Sequence, residues 1–248
     1  MDALIIAAGY GSRLREVSES KPLTPVAGIP LIELGILQAR AAGARRVVVV
    51  TGHEADRLEA GLARIALRTG VTVDPVRLAD WSKPNGWSVM AGAEAISGDF
   101  LLMMADHIFA APILTKLAQQ GSPTRGVTLA IDRRVNHPMI DPDDATWVQT
   151  DDSGFIQAIG KTIAPYNAVD CGAFLVTPEL PEAIAAAIAA GKAGSLSDGM
   201  QALADRGRAA TMDIGTDVRD AWWLDVDDPR AHAIAEAEAP IYLPEIYA

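Results

Sequence analysis

The segment Leu4-Ile5-Ile6-Ala7-Ala8-Gly9-Tyr10-Gly11-Ser12-Arg13-Leu14 sets small residues and glycines directly after a short apolar run. With no bulky side chains there, the backbone amides of Ala7, Ala8, Gly9 and Gly11 can come close to an anionic or planar ligand. Ser12 adds a hydroxyl, and Arg13 a planar fork suited to phosphate oxygens. A dinucleotide fingerprint needs a third glycine where Leu14 stands, and a phosphate loop needs a Gly-Lys-Ser/Thr end. The segment has neither. Taken alone, it also fits an ordinary glycine turn. A second cation follows at Lys21, between proline-containing turns in Ser20-Lys21-Pro22-Leu23-Thr24-Pro25. A solvated lysine is the plain alternative.

Two carboxylates complete the set. Asp106 follows the apolar run Leu101-Leu102-Met103-Met104, at the carboxyl end of an expected buried strand, where open parallel sheets bind ligands. Asp225 lies in Trp222-Trp223-Leu224-Asp225-Val226-Asp227-Asp228-Pro229. Hard oxygen donors suit magnesium, which bridges phosphates. Asp227 and Asp228 precede Pro229 and are expected to cap the last helix. A paired-carboxylate glycosidase would leave the loop, Arg13 and Lys21 without a purpose. His107 adjoins Asp106 and is expected to orient groups of the site. His53, His137 and His232 have no metal-ligand spacing, so no zinc site is expected.

The elements that must position these groups follow from apolar patterning. Leu4–Ala8, Val47–Val50 within Arg46–Thr51, Val71–Val76 and Asp99–Met104 read as strands. Between them, Leu31–Ala42, Ala55–Leu67 and Trp87–Ile96 have helical spacing. Beyond about residue 125 strands dominate: Val127–Asp132, Thr146–Thr150, Phe155–Lys161 and Ala173–Val176. Helices return at Pro181–Ala190 and Leu196–Arg206, then a strand at Ala209–Ile214 and a helix at Pro229–Ala237. The expected class is α/β, a Rossmann-like, mostly parallel mixed sheet flanked by helices. One domain, 1–248, is expected, with a nucleotide-binding part over about 1–125 and an acceptor-binding, closing part over about 126–248.

Composition bounds the function. The chain has 248 residues, is half apolar and carries a net charge of -11, so a basic face for nucleic acid is not expected. An acidic protein that binds a triphosphate must gather its few cations locally and recruit a metal. Cys171 is the single cysteine, which excludes an intrachain disulfide and fits a reducing cytoplasm. No run has the ~18 apolar residues of a spanning helix, and no basic residues precede the first apolar run as in a signal peptide.

The small-residue loop with Gly-x-Gly-x-Arg, then Lys21-Pro22-Leu23, then Gly28-Ile29-Pro30-Leu31, resembles the nucleotidyltransferases that activate sugar phosphates and phosphorylated alcohols. That resemblance implies a glycosyltransferase-A-like fold, with Arg13 and Lys21 on phosphates and Asp106 and Asp225 as Mg2+ ligands. Ala105 stands where the family usually has glycine. The central segments narrow the likeness. Asn85-Gly86-Trp87-Ser88, Asp106-His107-Ile108-Phe109, Gly160-Lys161 and Tyr166-Asn167-Ala168-Val169-Asp170-Cys171-Gly172 are similar to CTP:inositol-1-phosphate cytidylyltransferases. By that resemblance Asn85, Gly86 and Ser88 face the nucleotide. Lys161 holds the acceptor phosphate, and Asp170 and Asp132 accept from inositol hydroxyls. A surface charge cluster, Asp132-Arg133-Arg134, is the alternative for Asp132.

The expected partners are CTP and a small phosphorylated alcohol, inositol 1-phosphate by preference, with room for a homodimer but no nucleic acid and no membrane insertion. The product would be CDP-inositol, a phospholipid precursor, handed on to a separate enzyme. Phosphocholine or a hexose 1-phosphate is the alternative acceptor. A non-catalytic nucleotide-sensing subunit is the reading from another class; it should lack one of the charged motifs, and this chain keeps them all.

Overall fold

The computed structural model describes residues 1–14, 17–121 and 124–248, and of Ser12 the backbone alone. The first half alternates strand and helix. After β1 (Asp2–Ile6) come a two-residue hairpin, β2 (Pro25–Val26) and β3 (Ile29–Pro30), then α1 (Leu31–Ala41), β4 (Arg46–Thr51), α2 (Ala55–Thr69), β5 (Thr72–Arg77), α3 (Asn85–Ala93) and β6 (Phe100–Met104). The second half opens with β7 (His107–Phe109), α4 (Ala111–Ala118), β8 (Val127–Asp132), β9 (Trp147–Thr150), β10 (Ile156–Gly160) and β11 (Ala168–Val176). It closes with α5 (Glu179–Ala189), α6 (Leu196–Ala204), β12 (Ala209–Asp213), α7 (Ile214–Asp217), β13 (Trp223–Asp225), α8 (Pro229–Tyr242) and α9 (Pro244–Tyr247).

Nine strands form one sheet running β10-β9-β11-β6-β1-β4-β5, with β8 on β11 and β12 on β8. The pairs β1–β4, β1–β6 and β4–β5 are parallel, whereas β11 runs antiparallel to β6, β8 and β9. The change of architecture near residue 125 is therefore a switch to mostly antiparallel pairing within a continuous sheet. Pro75 fits in β5 because that strand is the sheet edge.

Both faces are covered, so the central strands read as unbroken apolar runs. Ala3, Ile5, Val47 and Val49 pack with Leu31 and Leu34 of α1, Leu58 and Leu62 of α2 and Ile113 and Leu117 of α4. Leu4, Ile6, Val48 and Val50 pack with Val89 of α3, Ile184 of α5 and Met200 of α6. The period-two alternation along β1 and β4 assigns each residue to its face. Among the described residues no helix is long and apolar enough to cross a membrane.

Most sequence-derived elements lie within two or three residues of their expected bounds. The strand expected at Ala173–Val176 is longer, starting at Ala168, with a register shift between Asp170 and Phe174 against β8. Patterning misses β2, β3, β7, α4, α7, β13 and α9. Strands β7 and β13 are three residues each and, among the described residues, pair only with each other, too short for a periodic signal.

Candidate active site

The cleft lies at the carboxyl ends of β1 and β6. There the chain leaves β1 into Ala7–Gly11 and leaves β6 into Ala105–Asp106. The Ala105 N–H donates to the Ile6 carbonyl at 3.3 Å, joining the two ends. Gly11 has φ +60, and a Cβ on it would stand 2.7 Å from Cβ of Lys21. Glycine there supplies both the left-handed backbone and the space for Lys21 to enter the cleft. Lys21 opens a short 3-10 turn, Lys21–Leu23, and its Nζ lies 2.6 Å from Asp106 Oδ2 and also pairs with Asp227.

The small ladder β7–β13 builds the acidic centre. Asp225 is in register with His107, and the Val226 N–H donates to the Asp106 carbonyl at 2.9 Å. Two aspartates far apart in the chain become neighbours. His107 Nδ1 bonds Asp106 Oδ1 at 2.7 Å and lies 3.7 Å from Asp225 Oδ1. Its ring is stacked against Trp223, with centroids 5.9 Å apart. The register shift in β11 leaves Gly172 at φ +77 opposite this ring, where a Cβ would lie 2.5 Å from it. The irregularity gives the imidazole its space, as bulges beside active sites commonly do.

The cleft has two lobes. A loop lobe is lined by Ala7, Ala8, Gly9, Gly11, Lys21, Trp81, Lys83, Asn85, Ser88 and Asp106. A charged lobe is lined by Arg13, Asp141, Asp144, Thr146, Lys161, Asp170, Trp223, Asp225 and Asp227, among others. Asn85, Met104 and Asp106 line both. In the charged lobe Asp144 bridges two cations, 2.6 Å from Arg13 and 2.6 Å from Lys161. Arg13 also pairs with Asp227 and lies 3.7 Å from Asp141.

Electrostatics separate the carboxylates. Burial opposes the charge on Asp106, but Lys21 and His107 outweigh it and hold the carboxyl well below its usual range. Burial pushes Asp225 up, with the neighbouring Asp106 adding to the shift. Burial also drives the Asp170 carboxyl up to about 6, against a 2.7 Å hydrogen bond from the Gly172 N–H. Burial disfavours protonated His107, yet Asp225 and Asp106 raise its pKa to about 9.

A metal ion fits this donor set. Among the described residues Asp225 Oδ1 is buried with no hydrogen-bond partner, an orphaned acceptor that a cation would satisfy. Ligand atoms of Asp106, His107 and Asp225 lie within 4.8 Å of one another, and so do those of Asp144, Asp225 and Asp227. Carboxylate oxygens favour a hard divalent ion.

The structure thus gathers Ala7, Ala8, Gly9, Gly11, Arg13, Lys21, Asn85, Ser88, Asp106, Lys161, Asp170 and Asp225 around one cleft. The side chain of Ser12 lies outside what is described. Arg13 faces the charged lobe. Two expectations need correcting. Asp132 does not line either lobe and is 2% exposed; its carboxylate takes Arg134 Nε at 2.9 Å and Trp223 Nε1 at 2.9 Å. Its oxygens are spent on anchoring β13, which leaves no reach to an acceptor. Gly86 packs against Gly194 and Ser195, where any Cβ would collide with main chain. It is a packing glycine rather than a ligand contact. Of the two expected caps, Asp228 accepts from the Ala231 N–H at 2.7 Å and caps α8. Asp227 turns into the cleft instead. Sequence reasoning missed Asp144 and Asp141, because they sit in the irregular segment between β8 and β9, without period or motif.

Residues 3–150 match the MobA-like NTP transferase domain. A bifunctional IPC transferase and DIPP synthase of Rubrobacter xylanophilus is 32% identical over 94% of this chain and 51% of its own length. Its counterpart in Aquifex aeolicus is 28% identical over 92% of this chain and 49% of its own. The chain thus spans about half the length of these curated relatives. The inositol-1-phosphate CTP transferase from T. maritima shares the fold, with a TM-score of 0.81 at 24% identity over 98% of this chain and 96% of that one.

Proposed function

Because this chain belongs to the MobA-like NTP transferase family, we propose that it transfers the cytidylyl group of CTP to inositol 1-phosphate, giving CDP-inositol and pyrophosphate. The observation that carries the reading is the meeting of the loop lobe and the charged lobe at Asp106, with Asp225 alongside. A nucleotide in the first and a phosphorylated alcohol in the second would present their reacting atoms at one point. The printed names of the two relatives and the solved neighbour favour this acceptor.

In the step, an acceptor phosphate oxygen bonds to the α-phosphorus of CTP. The bond from that phosphorus to the bridging oxygen breaks, and the electron pair leaves with pyrophosphate. The nucleophile is already anionic, so no proton has to move. The protein's contribution is position and charge. Lys161 exchanges Asp144 for the acceptor phosphate and aims it. Lys21 and Arg13 meet the growing charge on pyrophosphate. Asp170 accepts a hydrogen bond from an acceptor hydroxyl at neutral pH, above its raised pKa of about 6. Asp106 and Asp225 would hold magnesium, which when bound supplies Lewis-acid neutralisation of phosphate oxygens.

Pyrophosphate release, measured over the four ribonucleoside triphosphates against inositol 1-phosphate, choline phosphate and hexose 1-phosphates, tests this. CTP with inositol 1-phosphate is expected to be fastest. Turnover with choline phosphate or a hexose 1-phosphate, and none with inositol 1-phosphate, overturns the acceptor assignment.

A further inference from the structure

The residues first expected to read the nucleobase are partly committed elsewhere. Asn85 Oδ1 accepts from the Leu196 N–H at 2.8 Å, tying the start of α3 to α6, and Gly86 is packed against the Gly194–Ser195 main chain. The loop lobe therefore needs another source of affinity for a base. Trp81, a residue 40% exposed, lines this lobe together with Ala8 and Gly9. An aromatic ring of that size, partly open to water beside the alanine and glycine of the loop, offers apolar surface to a planar ligand.

The ring is held in place. A Cβ on Gly52 would fall 2.6 Å from Cβ of Trp81 and 2.8 Å from the Ala8 carbonyl, so Gly52 lets the tryptophan and the loop approach the same turn. The His53 N–H donates to the Ala8 carbonyl at 3.0 Å. The His53 ring meets Trp81 edge-on at 5.0 Å, and Tyr10 is nearly parallel to Trp81 at 6.4 Å. Trp81 is thus fixed relative to the loop by Gly52 and His53.

Building on the reading that the loop lobe takes a nucleotide, we propose that Trp81 is the aromatic wall of the nucleobase slot, stacking on the base opposite the Ala8–Gly9 main chain. Stacking acts through the face of the base, so Trp81 contributes affinity and leaves the phosphates to Lys21 and Arg13.

The test is calorimetric titration of wild type, Trp81→Ala and Trp81→Phe with CTP and magnesium, without acceptor, alongside inorganic tripolyphosphate, which has no base. Trp81→Ala is expected to weaken CTP about 10-fold or more, Trp81→Phe to stay within about 3-fold of wild type, and tripolyphosphate to bind all three alike. In turnover, KM for the nucleotide is expected to rise with kcat retained. Undiminished CTP binding by Trp81→Ala overturns the proposal. So does equal weakening of CTP and tripolyphosphate, the mark of a purely structural role. No acceptor enters the titration, so failure of inositol 1-phosphate as a substrate leaves this result untouched. If wild type prefers another triphosphate, that nucleotide replaces CTP in the same comparison.

Discussion

The loop lobe is lined by the small residues Ala7, Ala8, Gly9 and Gly11, with Lys21, Trp81, Lys83 and Asp106 beside them. In the charged lobe the lining is made of long or ionised side chains, and these are paired with one another through Asp144 and Asp227. A base can enter the first without parting any ion pair, whereas a phosphate that reaches Lys21 must share it with Asp106 and Asp227. By the proposed function, an acceptor phosphate entering the second displaces a carboxylate from Lys161, which exchanges partners. The side chains of Arg13 and Lys161 are 46% and 59% exposed, so water screens their pairs and the exchange costs little. Lys21, at 12%, is held far more firmly. One lobe is framed by a small-residue loop, and in the other the cations Arg13 and Lys161 are held by its own carboxylates.

The largest effect is expected where the lobes meet. Asp106→Ala should lower turnover by about 1000-fold or more, on the scale of losing a principal charge-stabilising group. Near-normal pyrophosphate release by a folded variant would break the view that both lobes serve one centre. Lys161→Ala sharpens the division. It should raise KM for the acceptor about 10- to 100-fold, the worth of charge-assisted hydrogen bonds, and leave KM for the nucleotide alone. Parallel movement of both constants would merge the two lobes into one.

Smaller effects mark the limits of the site. Asp132→Ala should cost about 1–3 kcal/mol of stability in urea unfolding, toward the lower end because Arg134 is half exposed, with acceptor KM unchanged. Arg134 and Trp223 hold the folded Asp132 carboxyl below its ordinary value despite burial. Its stabilisation is therefore present above the unfolded pKa of about 3.9 and lost as pH falls through the lower folded value. The gap between wild type and variant should be level from pH 7 to 5 and narrow only below about pH 4. Asp228→Ala, the loss of a helix cap, should cost about 1 kcal/mol and alter kinetics least.

The same contrast explains what could be read in advance. One wall of the loop lobe is local: one strand, one loop and one proline-framed lysine, close together in the chain and patterned. Strand β8 is fully buried, β1 and β4 are buried beyond their first residues, and their apolar runs announce them. The charged lobe is assembled from segments far apart in sequence. Lys161, Asp170 and Asp225 carried recognisable neighbours, but Asp144 and Asp141 carried none. The inward turn of Asp227 and the spent carboxylate of Asp132 depend on packing that no spacing encodes. An aspartate before a proline reads as a cap, and here one of two adjacent aspartates caps while the other faces the cleft.

The pairing of β7 with β13 also has a temporal meaning. A chain growing from its amino end can close β1, β4, β5 and β6 around the loop lobe while it still lacks the strand bearing Asp225. Contacts between distant segments form late because their loop-closure entropy is large. The stretch bearing Asp225 thus acts as a seal on the site: until it pairs with β7, Asp225 does not stand beside Asp106, and by the proposed function the site would lack one of its two metal-holding carboxylates. On dilution from urea, recovered activity should trail recovered secondary structure, and simultaneous recovery would show that the seal closes with the rest.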